Sequence, residues 1–226
     1  MAAPKPWSFS ALDTFKTCPR QYHAKYVAKT VKEPDSEEML WGKKVHTAFE
    51  NRQAVSTPLP HDLLQHEAFM EKLEDKPGVT FTEQKFGLNL KAQPCAFFDR
   101  DIWCRGVKDY EKIHESTAVS IDYKTGKPHQ KFEQLALAAI HTFKLYPDVE
   151  LVNAQFYWTQ TGLVTKKVWS RDDMPMLWSF FTPDLKQYRE AFEHDIWQPR
   201  QSGLCNGWCP VRDCEFWRPK RERTER

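Results

Sequence analysis

The stretch RGVKDYEKIHESTAVSIDYK, residues 105–124, decides how the chain is read. Its second half, Ala118 to Tyr123, is an apolar strand-like run leading into the triplet Asp122-Tyr123-Lys124. Residues two apart in a strand point to the same face, so Asp122 and Lys124 project together. Upstream, at hairpin distance, stands Asp109 in Arg105-Gly106-Val107-Lys108-Asp109-Tyr110. Neighbouring strands would carry Asp109 and Asp122 side by side, as oxygen ligands of the kind a hard Mg²⁺ ion prefers. Lys124 would hold a water or a phosphate oxygen beside them. That combination suits metal-assisted phosphodiester hydrolysis, in which a cation polarises the phosphate and acidifies a bound water.

A carboxylate-x-Lys triplet alone is weak evidence, because Glu74-Asp75-Lys76, Glu83-Gln84-Lys85 and Asp184-Leu185-Lys186 repeat it. Context separates them. Asp184 and Lys186 fall in a helical pattern, where residues two apart diverge. Glu74 to Lys76 ends a polar helix beside Pro77. Glu83-Gln84-Lys85 lies among strands and reads as an exposed strand edge or an accessory part of the site.

Outward from this stretch, helical patterns are expected from Ser8 through Tyr26, with Ser10 and Asp13 as a capping box, over Glu37 to Arg52 and over His61 to Leu73. After Pro77-Gly78 the pattern turns to alternation: strands at Val79–Glu83, Phe86–Leu90, near Phe97–Val107 and near Ala118–Tyr123. His129–Tyr146 reads as a helix, Leu151–Trp158 and Val164–Trp169 as paired strands, and Asp172–Trp197 as containing a long helix. The order predicts one mixed α/β domain over 1–217: a helical part 8–75, a sheet core 79–169, and a helix with a cysteine cluster at 171–217. A polar tail, 218–226, follows.

The 226 residues are 40% hydrophobic and 28% charged, an ordinary globular balance, and suffice for a filled core. The net charge of +2 neither announces nor excludes nucleic acid. The start of the chain lacks the apolar stretch of a signal peptide, and the longest apolar run, Leu135–Ile140, is too short to span a bilayer. A cytoplasmic protein without membrane attachment is expected, and its six cysteines are then thiols or metal ligands.

Two more positions fit the site. His46 lies one helical turn after Gly42 in Trp41-Gly42-Lys43-Lys44-Val45-His46, from where it could reach a metal on the sheet. Gln134, ten residues after Lys124, could fold its amide over the site from the start of a helix. Cys205, Cys209 and Cys214 crowd into ten residues, and Cys18 offers a fourth thiol. A tetrahedral Zn²⁺ site and packed free thiols are both open readings. Cys95 and Cys104 read as core thiols.

The ordered set of Ser8-Phe9-Ser10-Ala11-Leu12, Cys18-Pro19-Arg20-Gln21-Tyr22, Gly42 to His46, Glu83, Gly106-x-x-Asp109, Asp122-x-Lys124, Gln134 and the late cysteines resembles the RecB-like branch of the PD-(D/E)xK nuclease superfamily. The resemblance implies a restriction-endonuclease-like core, a central mixed sheet flanked by helices, acting as an exonuclease on DNA with Mg²⁺ or Mn²⁺. It implies His46, Asp109, Asp122 and the Tyr123 carbonyl as metal ligands, Lys124 as the group that positions the attacking water, and Gln134 as an orienting residue. It also implies a [4Fe-4S] cluster on Cys18, Cys205, Cys209 and Cys214, although the late spacing here is C-x₃-C-x₄-C. Replication or recombination proteins, and a host cytoplasm for a phage enzyme, belong to the same expectation. A CRISPR-adaptation nuclease and a non-catalytic DNA-binding module with the same fold are its rivals.

Overall fold

A computed structural model describes residues 5–33 and 35–220. The chain forms two compact units, one drawn from the described residues of Met1–Pro34 and Thr182–Arg226, the other being Asp35–Phe181. Of the polar tail, 221–226 lie outside the described residues.

The larger unit is built on a six-stranded mixed sheet in the order β2-β1-β3-β4-β5-β6. The strands are β1 Val79–Asn89, β2 Pro94–Cys95, β3 Ile102–His114, β4 Thr117–Lys124, β5 Leu151–Trp158 and β6 Leu163–Ser170. All neighbours are antiparallel except β4 and β5, which run parallel. The parallel pair requires a crossover, and α5 (Glu133–Leu145) supplies it, packing on both strands. This is the mixed sheet flanked by helices that the sequence implied.

On the opposite face lie α3 (Glu37–Val55) and α4 (Glu67–Glu74), the latter entered through a 3₁₀ segment at His61–His66. Ser36 caps α3 by accepting from Met39 N, and Glu37 and Glu38 favour the positive end of the helix dipole. Val45, Phe49, Leu59, Leu63, Met70 and Leu73 pack there against Tyr110, Ile121, Tyr123 and Tyr157 of the sheet. α5 lacks a side-chain cap at its start, but Arg171 closes its end, donating to the carbonyls of Phe143 (3.0 Å), Tyr146 (2.9 Å) and Val149.

The smaller unit contains α1 (Phe9–Thr17), α2 (Pro19–Tyr22) with a π turn at His23–Val27, and α7 (Thr182–His194). Phe15, Tyr22, Tyr188, Phe192 and Trp197 meet in edge-on and stacked contacts, and the Tyr22 and Tyr188 hydroxyls bond at 2.6 Å.

Several expected boundaries move. β1 is continuous where two strands were expected, and β3 runs to His114, well beyond Val107. α5 starts at Glu133, because the exposed Lys127–Lys131 segment has no buried stripe. Within 172–197 the expected long helix is α7, and a short α6 (Met174–Ser179) precedes it. Ser8 caps α1, accepting from Ala11 N, and not Ser10. Cys104 is buried, but Cys95 sits half-buried on the short edge strand. No helix among the described residues is long and apolar enough to cross a membrane.

Under α5 the core is polar in one place. Lys108 and Glu111 form a buried ion pair in which Thr142 also donates to Glu111. Nearby, His141 is fully buried, with Nδ1 lacking a hydrogen-bond partner and Nε2 3.6 Å from Cys104 Sγ. Burial, and then the charge on Lys108, hold the His141 imidazole well below its ordinary range. In the unfolded chain His141 takes up its proton near pH 6.5, while in the fold it refuses one, so stability falls as pH drops below about 6.5. The slope from this residue approaches about 1.4 kcal/mol per pH unit. Urea unfolding of wild type and His141→Leu at pH 7 and pH 5 checks this: the wild type loses more stability on acidification than the variant does.

Candidate active site

The β1–β3 ladder skips one pair. Thr82 pairs with Tyr110 and Gln84 with Lys108, but Glu83 and Asp109 between them are not paired. Glu83 has a left-handed backbone, φ 45°, costly for a residue with a Cβ. Strand alternation breaks at this point. Phe81 and Gln84, three apart, both contact Tyr146 at the end of α5. Lys108 and Glu111, also three apart, both reach Thr142 of α5. With those four positions committed to the α5 face, Glu83 and Asp109 both turn toward α3.

There they meet His46. Ligand atoms of His46, Glu83 and Asp109 all lie within 4.8 Å of one another, the one such grouping among the described residues. His46 Nδ1 is 3.4 Å from Asp109 Oδ1, and its ring packs edge-on to Tyr123. Gly42, His46 and Glu50, one helical turn apart on α3, line an open cleft with Glu83, Asp109 and Thr125. A Cβ on Gly42 would stand 3.4 Å from Thr125 Oγ1, so the glycine keeps that wall thin.

The β3–β4 ladder ends at Tyr110↔Ile121, one step before Asp109 and Asp122 would pair. The Tyr123 N–H instead donates to Asp109 Oδ2 at 2.7 Å. Asp122 and Lys124 project together, with Lys124 Nζ 2.6 Å from Asp122 Oδ2. Gln134, in the first turn of α5, donates to Asp122 Oδ1 and accepts from Lys124 Nζ at 2.8 Å. Asp122 Oδ2 is buried and, although close to the ammonium, has no hydrogen bond of good geometry. Asp122 therefore stands beside the His46–Glu83–Asp109 grouping, not inside it.

The electrostatics are those of a crowded acidic cleft. Burial, then repulsion from Asp109, pushes Glu83 up to about 7. Burial and Asp109 raise Asp122 to about 6, against the pull of Lys124. Burial alone would lower His46, but its bond to Asp109 and the charges of Asp109, Asp122 and Glu83 together outweigh that and raise it. Clustered carboxylates with a buried oxygen lacking a hydrogen bond, plus one imidazole, fit a divalent cation.

Of the residues singled out from sequence, His46 and Asp109 line the cleft, Asp122, Lys124 and Gln134 bond to one another beside it, and the Tyr123 N–H links to Asp109. Glu83, left there as a strand edge or accessory residue, holds a central place, and Glu50, one helical turn beyond His46 in the sequence, lines the cleft although no role was assigned to it. Their signal was weak: Glu83 enters by a backbone reversal no pattern announces, and Glu50 by helical spacing from His46. In the smaller unit Cys18, Cys205, Cys209 and Cys214 line one pocket with Trp217 and Val211.

A sequence model of the PD-(D/E)XK nuclease superfamily matches residues 6–100, which carry His46 and Glu83 and end before Asp109. No curated protein matches the chain in sequence. Among solved structures, a candidate exonuclease from Eubacterium rectale is 11% identical, covers 90% of this chain and 86% of its own, and superposes with a TM-score of 0.55. At that identity the likeness concerns the fold alone. The protein SSO0001, 11% identical over 95% of this chain and 88% of its own, reaches a TM-score of 0.46, too loose to carry a reading.

Crowding buried carboxylates costs stability when no cation is present. Glu83→Gln should raise the melting temperature of the metal-free protein at pH 8 by a few degrees. The same variant should lose most of the stabilisation that Mn²⁺ gives the wild type. Calorimetric scans of both proteins with EDTA and with Mn²⁺ check both signs.

Proposed function

We propose that the chain is a divalent-metal-dependent DNA nuclease, hydrolysing phosphodiester bonds from strand ends in DNA turnover, recombination or replication. The observation that supports the reading is the His46–Glu83–Asp109 grouping with an Asp122–Lys124–Gln134 triangle beside it, linked through the Tyr123 N–H to Asp109. The superfamily match over residues 6–100 supports it independently. The end-directed activity rests on the helical histidine at position 46, which accompanies exonuclease action in the RecB-like branch that the sequence resembles.

Asp109 and Asp122, with His46, Glu83 and the Tyr123 carbonyl, would hold Mg²⁺ or Mn²⁺. When bound, the cation polarises the scissile phosphate and makes a bound water nucleophilic at neutral pH. The chain's own groups do the positioning. Gln134 fixes Lys124 and Asp122 relative to each other, so both enter the reaction with little freedom to lose. The Lys124 ammonium sits over the Phe156 ring, 5.3 Å from its centroid, and there it would hold the attacking water and offset charge developing on the phosphate. Asp109, tied to the Tyr123 N–H, keeps the two strands at a fixed separation under the substrate.

For the four clustered cysteines we favour an iron–sulfur cluster over zinc. A tetrahedral Zn²⁺ with bonds of about 2.3 Å draws its thiolates to within about 3.8 Å of each other. Among the described residues no three of the thiols lie within 4.8 Å of one another. A cube binds its ligands at four separate iron corners and so takes thiolates farther apart than a single Zn²⁺ does. Two of the sulfurs already accept backbone N–H groups, Cys18 from Arg200 and Cys205 from Ser202, each at 3.4 Å. Such a cluster would tie residue 18 to residues 205–214.

End-labelled linear DNA with Mg²⁺ or Mn²⁺ tests the nuclease. Asp122→Ala and Lys124→Ala are each expected to lower the rate by about 100- to 1000-fold, and equal activity in all three proteins would remove the assignment. Anaerobically purified protein should contain about four irons and four acid-labile sulfides per chain. Cys209→Ser should lose them, and zinc in their place would overturn the cluster.

A further inference from the structure

The residues after Lys124 form a basic surface that the site itself does not use. From Lys124 to Phe132 the sequence is Lys-Thr-Gly-Lys-Pro-His-Gln-Lys-Phe, with three lysines, a histidine and no acid. Lys127, His129 and Lys131 are exposed, and Lys127 and Lys131 have no ion pair among the described residues. The segment has fixed anchors: Thr159 N donates to Lys124 O at 2.8 Å, Gln160 Nε2 to Thr125 O at 2.8 Å, and Lys131 N to His129 Nδ1 at 3.2 Å.

A chain of contacts carries this surface to the sheet edge. Lys124 lies over Phe156, and the His129 ring packs on Phe156 at 5.5 Å and on Trp158 at 4.9 Å. Trp158 donates to Thr165 of β6, and Lys167, two residues on and on the same face, holds its ammonium 4.9 Å over the Phe132 ring. Both Lys124 and Lys131 lie close enough to His129 to add to the effect of its burial in lowering its pKa. From Gln160 to Arg171 the edge strand and its flanks again carry no acid. Phe156 and Trp158 are buried beneath this surface and offer no open ring for a base to stack on.

We propose that Lys127, His129, Lys131 and Lys167 form a track for the phosphodiester backbone of the nucleic acid, running from Lys124 across the α5 face to β6. It rests on the nuclease reading and adds where the substrate strand lies and how it is held. With phosphates gripped and the Phe156 and Trp158 rings covered, binding along the track is independent of sequence. Lys166 is the internal contrast, because alternation along β6 turns it to the opposite face from Lys167.

The test is fluorescence anisotropy of labelled 20-mer single strands of two unrelated sequences, in Ca²⁺ at several salt concentrations. The wild type is compared with Lys167→Ala, Lys166→Ala and the triple variant Lys127→Ala/Lys131→Ala/Lys167→Ala. The triple variant is expected to flatten the slope of log affinity against log salt by about 2, at about 0.7 per lost phosphate contact on a single strand. Lys167→Ala should flatten it by less than 1 and Lys166→Ala leave it unchanged, with both sequences affected alike. With Mg²⁺ the triple variant should show a raised KM and an unchanged kcat. Unaltered slopes, or equal losses in Lys166→Ala and Lys167→Ala, would overturn the track while a cleaving wild type leaves the nuclease standing. A wild type that neither binds nor cleaves DNA would take down both.

Discussion

Everything at the cleft depends on one local violation of strand alternation. A regular β1–β3 pair would send Glu83 and Asp109 to the same side as Phe81 and Glu111, into the apolar contact with α5. The left-handed backbone at Glu83 and the missing ladder pair let two acids escape to the α3 side while their neighbours stay in the core. Backbone strain of this kind costs on the order of 1–3 kcal/mol and persists only where the surroundings enforce it. Here the enforcement comes from both sides of the break. Phe81 and Gln84 are held on Tyr146, while Lys108 and Glu111 are locked together under Thr142.

That buried Lys108–Glu111 pair therefore has a role beyond stability. A buried ion pair contributes little net free energy, because desolvation offsets its Coulombic gain. What it fixes is register: neither residue can leave the α5 face without stranding the other's charge. With 108 and 111 both pinned to one side, the intervening 109 and 110 must turn together to the other. Tyr110 fills the core beside Tyr123, and Asp109 lands at the mouth of the cleft. Gly106 fits the same plan, since a Cβ there would fall 2.3 Å from Cζ of Phe86, which packs down the same face.

The sequence disclosed the site's covalent logic better than its shape. Asp122 and Lys124 are two apart in a regular strand, and their pairing was legible because alternation holds there. His46 was legible through helical spacing. The mixed sheet followed from the order of patterns, and the crossover helix from the run Leu135 to Phe143. Glu83 was legible only as a strand edge or accessory residue, because its position depends on a φ angle that glycine would have advertised and glutamate hides. The start of α7 within 172–197 was equally hidden, since the pattern stays apolar through Phe180 and Phe181. The end of β3 was misplaced for a related reason: Lys108, Glu111 and Lys112 look like solvent-facing residues, yet all three are buried with partners.

Tyr123 joins the cleft to the triangle beside it. His46, Glu83 and Asp109 gather on the α3 side, whereas Asp122, Lys124 and Gln134 belong to the α5 side. Only a strand end, where the ladder has already stopped, gives one small volume access to both faces. Tyr123 is the residue at that end. Its N–H, released from pairing with β3, goes to Asp109, its ring meets Phe49 and His46, and its hydroxyl donates to Gln53 at 2.9 Å. Its backbone thus sets the distance between Asp109 and Asp122, while its side chain sets where α3, and with it His46, lies over the sheet. The intervening residue of the Asp-x-Lys triplet, whose side chain is neither acid nor base here, is in this chain the one that holds the groups of the candidate site in a common frame.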